Sequence, residues 1–271
     1  MTDLLVGPTV PAEGPMKRRV RPGGAGAVPW SYVGFEAYQL PGRARLEVPL
    51  DEREACVVVL GGRALVRWTG DREMTIWELG GRATPFDGPP AAAYLSPGGK
   101  ATVEAASEVD LVIGYARSPE RRTARALPAA SARLEVRGSG AMERRIHHIL
   151  MEDQPASSLL VTEVVTPAGH WSSYPPHKHD TDDPPRESKL EEIYYFRFRD
   201  PRGFGLMRVY TDDRSLDESI AVRDGDLVLV PRGYHTFSAA PGYDAYYLNV
   251  MAGPRREWKI TFDPDHERMR W

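Results

Sequence analysis

Twenty-four prolines and twenty-five glycines cut this chain of 271 residues into short apolar runs. Few windows carry apolar residues at i, i+3, i+4 and i+7 over three turns, the pattern of an amphipathic helix. Many carry a few consecutive residues rich in Val, Leu, Ile and Tyr. In the first half these are 44–48, 55–60, 64–68, 92–95 and 109–116; in the second, 158–165, 193–198, 205–210, 226–230 and 245–251. Turn dipeptides such as Gly61-Gly62, Pro97-Gly98, Asp224-Gly225 and Pro241-Gly242 separate them. Short strands spaced by such turns read as an all-β sandwich or barrel. A doubly wound α/β sheet needs long helices between its strands, and the sequence does not supply them.

The stretch 118–142, SPERRTARALPAASARLEVRGSGAM, is rich in Arg, Ala, Ser, Pro and Gly and reads as a linker with room for one helical turn. It divides the chain into two domains, 1–125 and 126–271, each with eight or nine strand candidates. The expectation is two β-barrels of similar size, built as jelly-roll-like antiparallel sheets with few short helices. Each half also has a Gly, an apolar run and a Pro-Gly turn (Gly88 to Gly99, Gly225 to Gly233), which suggests an internal duplication. The first 25 residues, rich in Gly and Pro, read as a loose arm, frayed or laid across the other half.

Several classes are excluded on composition. With 35 basic and 38 acidic residues the net charge is −3, which argues against a nucleic-acid binder that works by phosphate neutralisation. The longest uncharged apolar runs are far too short to span a bilayer, and the N-terminus lacks the pattern of a signal peptide. The single cysteine, Cys56, excludes an internal disulfide and a Cys-rich metal site. It fits a reducing cytoplasm and, within the apolar run 55–60, reads as a buried thiol.

All seven histidines (147, 148, 170, 177, 179, 235 and 266) lie in the second half. The strongest pattern is Pro175-Pro176-His177-Lys178-His179, then Glu191-Glu192-Ile193-Tyr194, then Gly225-DLVLV-Pro231-Arg232-Gly233-Tyr234-His235. Side chains alternate on a strand, so His177 and His179 share a face and can grip one ion. With His235 and a glutamate they make three imidazoles and one carboxylate, a site for Zn²⁺, Fe²⁺ or Mn²⁺. Glu192 shares a face with Tyr194 and Glu191 with Ile193. Both faces are apolar, so Glu192 is placed ahead and Glu191 stays open. His147 and His148 would point apart on a strand; with His170 and His266 they read as structural or surface residues. Asp212 and Asp213, in the run 211–218, read as turn caps.

These elements resemble the two signature stretches of the cupin superfamily, small β-barrels with three His and one Glu around a metal. They depart from the usual pattern in the long insertion, 180–190, between His179 and the glutamates. SSYPPHKHD, ESKLEEIYYFRF, GFGLMRVYTDDRSLDE and GDLVLVPRGYH are more specifically similar to the 5-deoxy-glucuronate isomerase family of myo-inositol catabolism, a family of bicupins. The likeness runs from GFEAYQL to AGPRREWKITFDPDH; His170 stands where the family leads one to expect Asn.

The resemblance implies an aldose–ketose isomerase acting on a small sugar acid, 5-deoxy-D-glucuronate, and giving 5-dehydro-2-deoxy-D-gluconate. Such chemistry needs a Lewis acid, a base and a cation for the distal carboxylate. The metal, held by His177, His179, Glu192 and His235, undergoes no redox change, so Zn²⁺ suffices. A metal-bound hydroxide, Glu187, Glu191 and Asp180 are candidates for the base, and Tyr194 for a donor to substrate oxygen. Lys178, Arg186, Lys189, Arg208 and Arg232 are candidates for the carboxylate; parity sends Lys178 outside the barrel, while Arg208 could point inward. The insertion reads as a lid or as a hairpin tip. A homo-oligomer is left open. The rivals are a 5-keto-4-deoxyuronate isomerase of pectin breakdown, an iron-dependent cupin dioxygenase and a non-enzymatic sugar-binding cupin.

Overall fold

The computed structural model describes residues 4–6, 15–24, 28–70 and 73–270. Its strands form four sheets stacked as layers. A four-stranded sheet runs in the order 45–49, 100–105, 63–69, 74–80. A six-stranded sheet runs in the order 125–127, 91–95, 53–61, 109–117, 33–40, 16–20. Together these two make the first barrel. The second barrel pairs a seven-stranded sheet (5–6, 227–230, 191–198, 245–252, 160–166, 144–150, 133–137) with a five-stranded one (217–223, 204–210, 234–239, 171–178, 261–262). All the pairings are antiparallel. Among the described residues helix is confined to three-residue 3₁₀ turns such as Ala129–Ser131. The chain is the all-β bicupin that the sequence predicts. Among the described residues no helix is long and apolar enough to cross a membrane.

Three apolar layers hold the sheets together. One fills the first barrel, with Val57, Val59, Leu111 and Ile113 facing Val66 and Val103. One fills the closed end of the second, with Phe196, Phe198 and Tyr247 facing Met207, Val209 and Phe237. The third lies between the barrels, where the six- and seven-stranded sheets meet back to back. Alternation along the strand Arg53–Gly61 therefore serves two cores. Ala55, Val57 and Val59 point into the barrel, while Cys56, Val58 and Leu60 point at the other half. A sheet buried on both faces needs continuous apolar strands, which explains the runs around Cys56 and Leu229.

Polar ties cross this layer. Glu54 accepts from the backbone N–H groups of Ser157, Ser158 and Leu159. Glu191 accepts from those of Ser31, Tyr32 and Val33. Arg82 makes a two-point fork to Glu163, both contacts 2.9 Å.

The stretch read as a linker holds two short edge strands. Arg125–Leu127 closes the edge of the first barrel's sheet, and Arg133–Arg137 opens the edge of the second's. Of the N-terminal arm, Leu5 and Val6 pair with Val228 and Leu227 of the second barrel, and Met16–Val20 joins the first. Residues 1–3, 7–14 and 25 of that arm lie outside the described residues.

Candidate active site

The strand Trp171–Lys178 delivers His177 beside His235 of the strand Tyr234–Ala239, paired Cα to Cα. The ligand-capable atoms of His177, His179 and His235 all lie within 4.8 Å of one another. Glu192, on the facing sheet, completes the group. Its Oε2 is 2.9 Å from Nε2 of His179 and 3.1 Å from Nε2 of His235. All four residues are buried.

The tautomers are set from behind. Nδ1 of His179 donates to the Leu190 carbonyl at 3.1 Å, and Nδ1 of His235 to the Gly233 carbonyl at 3.2 Å. Both Nε2 atoms are thereby turned toward Glu192. Nε2 of His179 is hydrogen-bonded to Glu192, whereas Nε2 of His235 is buried with no hydrogen-bond partner. A buried imidazole nitrogen left unpartnered beside two more imidazoles and a carboxylate fits a cation between them. Burial, then the fields of His235 and His179, push His177 well below its ordinary range, so its ring is neutral and its lone pair available. Burial works against charge on Glu192, but the close imidazoles of His179 and His235 outweigh it and hold the carboxyl at about 2.

The two-sided burial of the strand Glu191–Phe198 separates the adjacent glutamates. Glu192 faces the lumen with Tyr194 and Phe196, whereas Glu191 faces the other barrel and caps residues 31–33. The candidacy of Glu191 as ligand or base is therefore corrected: its oxygens are committed to three backbone donors across the inter-barrel layer. Tyr194 lines the lumen, its hydroxyl 2.9 Å from Ser173 Oγ. Ser173 takes a left-handed φ of 51° in the bulge between Ser172 and His177, which brings its hydroxyl into the lumen.

Other predicted residues lie elsewhere. Glu187 accepts from the N–H groups of Asp180 and Thr181 and so folds the insertion on itself. Asp180 accepts from the Gly233 N–H, tying the insertion to the turn before His235. Arg208 is corrected as well. Met207 and Val209 take the lumen side of its strand, so Arg208 points outward and pairs with Asp217. Lys178 points outside the lumen, as parity requires, and pairs with Asp212. Arg186, paired with Asp183, sits on the rim of the mouth. Asp213 caps its turn, whereas Asp212 serves Lys178 and Tyr234.

A cavity of about 630 Å³ covers the mouth, lined by Arg137, Arg144, Arg186, Trp258 and Arg270 among others. It meets a narrower one of about 50 Å³ inside the lumen, walled by His177, Glu192, Tyr194, Asn249 and His148. Arg137, Arg144, His177 and Trp258 line both. Arg144, 4% exposed, and His148 were not singled out from the sequence for this site. The alternation of Arg144, Ile146 and His148 along one strand was the available signal, masked by the second histidine beside it.

Comparisons with known proteins agree with this geometry. The model of the KduI/IolB family matches residues 12–269. A 5-deoxy-glucuronate isomerase of Geobacillus kaustophilus is 47% identical over 269 residues, covering 98% of this chain and 95% of that protein. The crystal structure of an IolB-like protein from Salmonella typhimurium superposes with a TM-score of 0.93 at 42% identity, covering 99% of both chains. An oxalate decarboxylase of Lactobacillus farciminis, in complex with formate, superposes with a TM-score of 0.69 over 97% of this chain and 89% of its own. At 11% identity that likeness is one of fold.

Proposed function

The chain belongs to the KduI/IolB family, and on that premise we propose that it is a 5-deoxy-glucuronate isomerase, converting 5-deoxy-D-glucuronate to 5-dehydro-2-deoxy-D-gluconate in the cytoplasm as a step of myo-inositol catabolism. The observation that carries this reading is identity of 47% to a protein of that name along nearly the whole of both chains. The donor set in the lumen accords with it.

His177, His179, Glu192 and His235 would hold a divalent cation, which when bound supplies a Lewis acid for the carbonyl and the neighbouring hydroxyl. The reaction moves hydrogen within one molecule, so a redox-inert ion such as Zn²⁺ is sufficient. Tyr194 stays protonated, because burial and then Glu192 raise its pKa, and it can donate to a substrate oxygen. The distal carboxylate falls to Arg144 rather than to the cations first considered. Burial lowers Arg144 only to about 10, so it is charged at neutral pH. It lines the passage from mouth to lumen with His177. Arg144→Met is expected to raise KM about tenfold or more, as loss of a charge-assisted hydrogen bond would. Arg208→Ala should leave KM unchanged.

The test combines elemental analysis with NMR of the sugar acid. One divalent ion per chain and conversion of 5-deoxy-D-glucuronate are expected. Turnover of 5-keto-4-deoxyuronate alone would move the chain to the pectin branch of the family. Oxygen uptake with iron but not zinc would make it a dioxygenase.

A further inference from the structure

The edge of the seven-stranded sheet holds an arrangement that the reading above does not use. Along the strand Arg144–Leu150, His147 and His148 point to opposite sides. His147 meets Glu163 in the layer between the barrels, with Arg82 on the far side of that carboxylate. His148 faces the lumen, where it shares the cavity wall with Thr162, Tyr194, Glu192 and His177.

His148 is buried, and its Nε2 lies 2.8 Å from Oε2 of Glu135. A carboxylate only accepts, so Nε2 carries the proton and Nδ1 the lone pair. That Nδ1 is buried and has no hydrogen-bond partner among the described residues. Glu135 is held in turn by Arg137, whose Nε and Nη2 reach its two oxygens at 2.7 and 3.0 Å. An imidazole in a cavity wall, oriented by a fixed carboxylate and with its second ring nitrogen unpartnered, has the form of a general base.

We propose that His148, oriented by Glu135 and Arg137, carries the proton between C2 and C1 of the open-chain substrate. This rests on the isomerase reading. Nδ1 takes the proton as the C2–H bond breaks, and the freed electron pair forms the C1=C2 bond of the enediolate while the C1=O1 π pair moves onto O1. The same proton, or one exchanged with solvent, returns to C1 as the C1=C2 π pair forms the new C–H bond and an O2 lone pair forms the C2=O2 carbonyl. The O2 hydroxyl proton passes to O1. Atoms and charge balance, and no oxidant or reductant is required. Glu135 stabilises the transient imidazolium without taking its proton. The Arg137 hydrogen bonds, against burial and with help from His148, keep that carboxyl at about 2. Burial keeps His148 neutral before the step, with Glu135 opposing and Arg133 assisting.

The test uses the full-length, metal-loaded protein and its His148→Gln and Glu135→Gln variants. His148→Gln should lose about 10²- to 10⁴-fold in kcat, with KM and metal content unchanged and with deuterium incorporation at C1 in heavy water lost alongside. Added imidazole should restore part of the rate. Glu135→Gln should lose less and shift the acid limb of kcat/KM. A His148→Gln protein within about tenfold of wild type, or one that loses metal and activity together, overturns the proposal. An inert wild type removes the isomerase reading and this proposal together; an active wild type with an active variant removes this proposal alone.

Discussion

The two barrels share a strand plan but not an interior. Register places their residues one on another. Val48 pairs with Ala101 in the first barrel as His177 pairs with His235 in the second, and both members of each pair are buried. Ala55 sits between Leu95 and Tyr115 as Glu192 sits between Val230 and Met251. Leu50 follows Val48 by two positions as His179 follows His177. The counterparts of the four metal-directed residues are thus a valine, a leucine and two alanines. The first lumen is packed with Val, Leu and Ala, while the second keeps aromatic residues at its closed end and polar ones toward its mouth. One scaffold can be a packed core or a site, depending on a handful of inward positions.

The comparison breaks first at the histidines. His177→Ala and His235→Ala should each lose the ion and about 10³-fold or more in turnover, since Lewis-acid stabilisation is worth several kcal/mol. Val48→Ala, the corresponding change in the first barrel, should leave turnover within twofold. Metal content, circular dichroism and kcat measured together decide it. Retained turnover at matched metal content would remove the assigned mechanism.

Next in size is Ala55→Glu, which places the second barrel's carboxylate in the first barrel's lumen. Ala55 is fully buried and has no imidazoles around it. An uncompensated buried charge costs about 3 kcal/mol or more, and a drop of roughly 10 °C in Tm is expected. A variant as stable as wild type would show that the first lumen is wetter than its packing indicates.

The glutamates of the inter-barrel layer give a smaller and reciprocal effect. Glu54 and Glu191 hold equivalent places, each capping three consecutive N–H groups of the opposite half. Removing either leaves buried donors unsatisfied, so Glu54→Ala and Glu191→Ala should each cost about 2 kcal/mol in thermal unfolding. Neither should change kcat more than about threefold, whereas Glu192→Ala should abolish it. An inactive but metal-loaded Glu191→Ala would return that residue to the chemistry.

This pair also shows where the sequence was legible. The short strands, the turns between them and the His-x-His and Pro-Arg-Gly-Tyr-His stretches were readable, because alternation and turn chemistry are local. Choosing between Glu191 and Glu192 was not, because a strand squeezed between its own lumen and a second barrel is apolar on both faces. Arg125–Leu127 and Arg133–Arg137 looked like linker because edge strands can expose polar side chains, and Leu134 and Val136 are themselves exposed. Arg208 could face inward as far as its strand sequence tells, yet Leu206, two residues before it, is 53% exposed and marks the outer face. Arg144 and His148 enter the site through the packing of the edge strands, and the alternation that would have marked them was hidden by His147 beside it.

The mildest change tests whether the two barrels ever part. Cys56 lies in the layer between them, fully buried against the second half. Burial, and then the nearby Glu54 carboxylate, push its thiol up to about 12. At pH 8 the thiolate fraction is then about 10⁻⁴, roughly a thousandfold less than for a free cysteine. Cys56→Ala removes one sulfur from apolar contact and should cost about 1 kcal/mol without altering turnover. In the unaltered protein, a thiol reagent should react only as the strands unfold, because the layer that hides Cys56 is continuous with both large sheets. Reaction while circular dichroism still reports native strands would mean that the barrels separate before either unfolds. The polar ties of Glu54, Glu191 and Arg82 would then be latches between independently stable units, and the effects predicted for the two glutamates would appear in that first separation rather than in global unfolding.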